Sequence, residues 1–122
     1  MILADTSVWI SHISESQPRL QQALVDGAVF MHPFVLGEIA CGNLRARSRT
    51  LDMLARLPFS VSASNEEVLA LLDRHRLFGT GLGWVDAHLL ASARLTSCRL
   101  WTLDSSLRDA ATALKIGYSA VM

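Results

Sequence analysis

The sequence predicts an α/β protein, a three-layer α/β/α sandwich around a central, mostly parallel sheet of four or five strands. Two observations carry this. Short apolar runs alternate with helical segments along the chain, the order that winds a parallel sheet and lays helices on its faces. The runs "MILA" and "RLWTL" also show little polar alternation, as befits strands covered on both sides. A third observation sets the scale: 122 residues, 51% hydrophobic and 18% charged, are expected to form one domain over 1–122 with a single core.

Residues 1–5 read as the first strand and Thr6 to Ile13 as a helix. "SESQPRLQQALVDG" holds a second helix that stops at Gly27, because glycine favours a helix end. "AVFM" (28–31) is the second strand, broken by His32-Pro33. Helices are expected over about 34–44 and about 49–57, the latter ahead of Pro58. "FSVS" (59–62) reads as a third strand. Ser64 with Glu67 three residues on is a capping box that opens a helix to about Leu77. "FGTGLG" is a glycine-rich loop and "WVDAHLLASARL" a helix. "RLWTL" (99–103) is the fourth strand, "SSLRDAATALK" a helix, and "GYSAV" a short final strand.

Composition narrows the function. The apolar share exceeds what one small core needs, so part of it is expected on a partner surface. With net charge zero, no global field draws the chain to nucleic acid or membrane. The basic residues are nevertheless all arginine except Lys115, and arginine is the better planar fork for phosphate. Cys41 and Cys98 form no C-x-x-C pair, so two buried, reduced thiols of a cytoplasmic protein are expected. No secretory leader is read, because Asp5 interrupts the N-terminal apolar run. No run approaches the roughly 18 apolar residues of a membrane span.

Four acids stand in unusual places. Asp5 and Asp104 each end a strand, and each is followed by hydroxyls: Thr6 and Ser7 after one, Ser105 and Ser106 after the other. In open α/β sheets, ligands gather at the carboxyl ends of strands where strand order reverses. Were the first and fourth strands neighbours, the two carboxylates would lie about 5 Å apart, tolerable only with a proton or a cation between them. The competing reading is that each merely N-caps the following helix. Asp86, placed at about 100° per residue, falls between Leu89 and Leu90 on the apolar stripe of its own helix. Its first-turn position could equally owe its anion to the helix dipole. His88, on the opposite face, reads as a surface or packing residue. Glu38 lies at the edge of the stripe of Val35, Leu36, Ile39 and Ala40, aimed at the same cleft or simply exposed.

Carboxylates with hydroxyls at Thr6, Ser7, Thr102 and Ser105, and no thiolate pair or close histidine set, suit Mg²⁺ or Mn²⁺ better than zinc. Such an ion equips a site for phosphoryl chemistry. No Gly-rich phosphate loop with its lysine is present, which disfavours nucleotide hydrolysis. No G-x-S-x-G elbow supports a serine nucleophile.

The blocks "ILADTSVWI", "VLGEIACG", "GLGWVDAHLLASA" and "LWTLDSSL", in this order, resemble the PIN-domain ribonucleases, especially the VapC-type toxins of toxin–antitoxin pairs. The resemblance spans nearly the whole chain and implies a PIN-like fold. It implies that Asp5, Glu38, Asp86 and Asp104 form an acidic catalytic site, with Asp5, Asp86 and Asp104 holding the metal and Thr6, Ser7 and Thr102 as supporting polar residues. It implies a Mg²⁺- or Mn²⁺-dependent endoribonuclease that leaves 5′-phosphate and 3′-hydroxyl ends. A homodimer and a cognate VapB-type antitoxin, whose tail enters the active-site groove, are implied as partners, with a higher toxin–antitoxin assembly as an extension. His32-Pro33 departs from the plainer turn of many relatives.

Arg45, Arg47 and Arg49, and with them Arg74 and Arg76, are candidates for RNA backbone contact, against a solvated helix face as the alternative. Trp9, Trp84 and Trp101 sit within apolar runs and are expected in the core rather than stacked on bases. The rival functions are a catalytically silent PIN-like binding module and a Mg²⁺-dependent phosphatase. A phosphatase of the haloacid type wants a second aspartate two residues after the first, where Ser7 stands.

Overall fold

Three parallel strands, β1 (Ile2–Ala4), β2 (Val29–Phe30) and β3 (Arg99–Trp101), lie in the order β2-β1-β3 in the computed structural model, which describes residues 1–119. Among the described residues seven helices accompany them: α1 (Thr6–Glu15), α2 (Pro18–Val25), α3 (Pro33–Ala40), α4 (Arg47–Ala55), α5 (Asn65–Arg74), α6 (Trp84–Thr96) and α7 (Ser105–Ala113). Successive residues of a strand face opposite sides of a sheet, and Ile2, Leu3 and Ala4 are all buried. Both faces are therefore covered, as the uninterrupted apolar runs predict.

Single parallel bridges extend the sheet at both flanks, Met31 to Phe59 and Leu100 to Gly117. The spatial order thus runs outward from β1 in two directions, and strand order reverses between β1 and β3. That reversal opens a crevice at their carboxyl ends. The register pairs Ala4 with Trp101, so the chain leaves both strands side by side, at Asp5 and Thr102.

The expected third strand, 59–62, is reduced to one bridge for a local reason. Ser60 N–H donates to Met31 O (2.9 Å), but the amides of Val61 and Ala63 turn to helix side chains. Val61 N–H donates to Thr96 Oγ1 (3.0 Å) and Ala63 N–H to Ser92 Oγ (3.3 Å), both on α6. The segment leaves the sheet to follow that helix. Of the predicted final strand, Gly117 makes the one bridge, and Ala120 and Val121 lie outside the described residues.

The helix from 64 is capped as read: Ser64 Oγ accepts from Glu67 N–H, and Glu67 Oε1 accepts from Ser64 N–H. Helix α3 stops at Ala40, short of the predicted 44. Helix α6 departs further from expectation, because seven consecutive residues from Ala87 to Ala93 are buried. Its alanines and serine let neighbours close in from every side, so of the two readings of His88 the packing one holds and the surface one does not. Its Nε2 lies 3.1 Å from Asn65 Oδ1.

The core is built on Leu3, Val29, Met31, Ile39, Leu90 and Leu100, none more than 1% exposed. Trp9 and Trp101 are buried in it, whereas Trp84 is 44% exposed at the start of α6, against expectation. Cys98 is buried, but Cys41 is exposed at the end of α3, correcting the prediction of two buried thiols; both are free. No helix among the described residues is long and apolar enough to cross a membrane.

Candidate metal centre

Asp5 is the buried acid of the site, 5% exposed. A buried carboxylate is costly unless hydrogen-bonded, and three donors meet it. Its Oδ1 accepts from Ser7 Oγ (2.5 Å) and Val8 N–H (3.1 Å), and its Oδ2 accepts from Thr102 Oγ1. The capping role is therefore realised, and α1 starts on this acid. The hydroxyls also bind the neighbouring turn. Ser7 Oγ accepts from Leu103 N–H (3.0 Å), and Thr102 Oγ1 accepts from Asp104 N–H (3.0 Å). Asp104 in turn caps α7, its Oδ2 accepting from Leu107 N–H at 2.9 Å. What stands opposite Asp5 in the register is Thr102, so a hydroxyl, not the second acid, is the immediate neighbour of the first.

Glu38 reaches the site from α3. Thr6 Oγ1 donates to its Oε1 at 2.6 Å, which orients an otherwise exposed side chain. Asp86 reaches it from the first turn of α6, where its Oδ2 accepts from Gly83 N–H at 3.2 Å. The glycine loop before α6 is shaped for close approach. Gly81 has φ +92°, and a Cβ there would stand 2.9 Å from Ser106 Oγ on α7.

A pocket of about 220 Å³ is lined by Asp5, Thr6, Ser7, Glu38, Asp86, Leu89 and Asp104. All four predicted acids thus share one cleft, with Leu89 as an apolar wall that sequence inspection did not single out. Their mutual influence is visible in Asp86, whose carboxyl is pushed above its ordinary range. Burial is the largest cause; the Gly83 hydrogen bond opposes it, and the charges of Asp104, Asp5 and Glu38 add to it. A larger cavity, about 690 Å³, lies on the other side of Thr102 between β3 and α7 and is lined by no carboxylate among the described residues. Chemistry rather than size singles out the smaller one.

The donors are hard oxygens throughout. Among the described residues, no three carboxylate, histidine or cysteine side chains make a ready-made set of direct ligands. Hard oxygen donors suit a small divalent ion such as Mg²⁺, which takes one or two carboxylates and keeps several waters. They suit zinc less well, whose sites are built mainly on histidine and cysteine.

The arginines lie elsewhere. Arg45, Arg47 and Arg49 are exposed at and before the start of α4, and none lines the acidic pocket. Arg47 Nη2 donates to Ala40 O at 2.7 Å, a cation on the carbonyl end of α3. Arg74 and Arg76 are exposed beyond α5 or at its end, and also outside the pocket.

His32, the unexplained residue of the sequence, is buried and doubly engaged. Its Nδ1 accepts from Phe34 N–H (3.0 Å), capping α3, which places the proton on Nε2, 3.2 Å from Ser92 Oγ. Burial first, and the charge of His88 second, push its pKa down to about 4. Between pH 6.5 and 4 the unfolded chain therefore binds a proton that the folded chain refuses. Stability is complete above pH 6.5 and falls as pH drops through that window, by up to about 1.4 kcal/mol per pH unit. His12 and His88, also lowered by burial, act in the same direction. Urea midpoints at pH 7, 6 and 5 should show this decline, and His32→Asn should flatten it.

Compared with known proteins, the chain matches the PIN domain family model over residues 2–113. It is 46% identical over 111 residues to Ribonuclease VapC32 of Mycobacterium tuberculosis, in strains CDC 1551 / Oshkosh and ATCC 25618 / H37Rv, covering 90% of this chain and 90% of each relative. The crystal structure of PAE2754 from Pyrobaculum aerophilum superposes with a TM-score of 0.60 at 16% identity, over 94% of this chain and 88% of that one, a likeness of fold.

Proposed function

The chain belongs to the PIN-domain family, among its VapC-type ribonucleases, and on that premise we propose that it is a divalent-metal-dependent endoribonuclease, a single nuclease domain acting as the toxin of a VapBC-type pair. The observation that carries this reading is the convergence of Asp5, Glu38, Asp86 and Asp104 on one pocket at the point where strand order reverses. A silent binding module would have no need to hold four like charges together against the cost visible in Asp86.

Asp5, Asp86 and Asp104 would hold Mg²⁺ or Mn²⁺, directly or through waters. When bound, such an ion supplies charge neutralisation at the phosphodiester and a water made acidic enough to attack. The chain's own residues do the positioning. Asp5 is fixed by Ser7, Val8 and Thr102, so its free lone pairs point the same way in every molecule. Glu38, with one oxygen held by Thr6, completes the acidic shell or orients the attacking water. Hydrolysis in line leaves a 5′-phosphate and a 3′-hydroxyl.

Arg45, Arg47 and Arg49 are proposed to hold the RNA backbone away from the cleft. Arg45→Ala should lower the slope of log binding against log salt by about 1. The cognate antitoxin and a second copy of the chain are the proposed protein partners, in the cytoplasm. Support for a partner surface comes from apolar side chains left in the open: Ile10 and Ile13 one turn apart on α1, with Phe34 and Trp84.

The decisive experiment is cleavage of an RNA panel by the purified protein. EDTA should abolish it, Mn²⁺ or Mg²⁺ should restore it, and Glu38→Gln should cut the restored rate at least about tenfold, the lower bound for groups that orient a metal site. Cleavage that continues unchanged in EDTA would refute the proposal.

A further inference from the structure

Glu38 and Asp86 come from helices that do not rest chiefly on each other. Helix α3 packs against α1 and α4, and α6 against α5, β3 and α7. A hydrogen bond and a ring contact link the start of α3 to α6. The bond joins His32 Nε2 and Ser92 Oγ; the ring contact is the edge contact of Phe34 and His88, 4.9 Å between centroids. Ser92 Oγ also accepts from Ala63 N–H, so the same hydroxyl fastens the segment that leaves the sheet.

The spacing gives this tie leverage. Glu38 lies six residues after His32, and Asp86 lies six residues before Ser92. At 1.5 Å per residue each acid stands about 9 Å from the tie along its helix. A tilt of about 5° between the helices would shift the acids relative to each other by about 0.8 Å, and a misplacement of about 1 Å can cost about 100-fold in rate. The imidazole suits the task because its two nitrogens do different work: one caps the start of helix α3, and the other reaches across to α6.

We propose that His32 is a positioning residue, which sets the separation of Glu38 and Asp86 by tying the start of α3 to Ser92 of α6. This rests on the metal-site reading above and assigns the His32–Ser92 pair a role in it. His32 itself touches neither substrate nor ion.

Two substitutions separate this role from simple helix capping. His32→Asn keeps an acceptor at the Nδ1 position, so it still caps α3, but it cannot reach Ser92. His32→Gln reaches towards Ser92 but caps poorly. Mn²⁺ affinity, measured by electron paramagnetic resonance of the free ion, and cleavage rate are read for both, with thermal unfolding of the metal-free protein alongside. If the tie sets the acids, His32→Asn weakens Mn²⁺ binding by about tenfold or more, as loss of supporting contacts at metal sites does, while His32→Gln recovers part of it. Ser92→Ala should then reproduce the His32→Asn defect, and the double variant should add little to either. The losses of His32→Asn and Glu38→Gln should likewise fall short of additive. If His32→Asn binds and cleaves like the wild type while His32→Gln is impaired, His32 is only a cap and the proposal is overturned. A wild-type protein that neither binds Mn²⁺ nor cleaves would instead bring down the metal-site reading itself.

Discussion

Asp5→Asn is expected to reduce RNA cleavage by more than about 100-fold, beyond the 10- to 100-fold typical when only a supporting contact of a metal site is lost. The fold should survive. Asparagine caps a helix as well as aspartate does, so the hydrogen bonds from Val8 N–H and Ser7 Oγ to the remaining carbonyl persist. The cost falls on Thr102, whose hydroxyl now faces a donor in place of the carboxylate oxygen it served, a loss of about 0.5–1.5 kcal/mol. Single-turnover cleavage alongside a circular-dichroism melt would separate the two effects. A folded Asp5→Asn protein with wild-type, metal-dependent cleavage would remove this acid from the reaction.

Asp86→Asn should move activity and stability in opposite directions. Cleavage falls on the same scale, because a candidate ligand is gone. The metal-free protein, however, gains stability, because the substitution deletes a half-buried charge that burial and the charges of Asp104, Asp5 and Glu38 all oppose. Solvent screens part of that opposition, so a rise in melting temperature of no more than a few degrees is expected. The sign depends on pH. A carboxyl whose pKa is raised by folding favours the folded state when protonated, and that contribution is lost as pH rises through its folded pKa. The gain should therefore be present at neutral pH and vanish in acid, where wild-type Asp86 is protonated as well. Added Mn²⁺ should stabilise the wild type and leave Asp86→Asn nearly unmoved. An unchanged neutral-pH melting temperature without metal would show that Asp86 carries no such strain.

Much of this architecture is legible in the residues because parallel strands admit few disguises. Ile2 to Ala4 and Leu100 to Trp101 must be apolar where the sheet is covered, so an acid that follows at once, as Asp5 does, or three residues on, as Asp104 does, marks the strand's end. That both strands are neighbours could be conjectured from the paired turns, but the register could not. Which group faces Asp5 depends on one residue of offset, and it is Thr102. Helix α6 was less legible. Periodicity sees the leucines of "VDAHLLASARL" but not that alanine and serine leave room for neighbours on the remaining faces, which is why His88 is buried there. Trp84 shows the converse, since one indole at a helix start can stay open without disturbing the pattern behind it. His32 was conspicuous and mute: a histidine before proline announces a turn, but its second nitrogen finds Ser92, sixty residues away, only in three dimensions.

The segment from Phe59 to Ala63 has a bearing on how other chains can approach. A free sheet margin normally recruits extended peptides, which zip on through main-chain amides. Here Val61 and Ala63 have given theirs to threonine and serine hydroxyls, leaving an incoming ribbon few donors to grasp on that flank. A visitor to this side must dock through side chains or as a helix, and the same arrangement guards crowded molecules against stacking into fibrils along it.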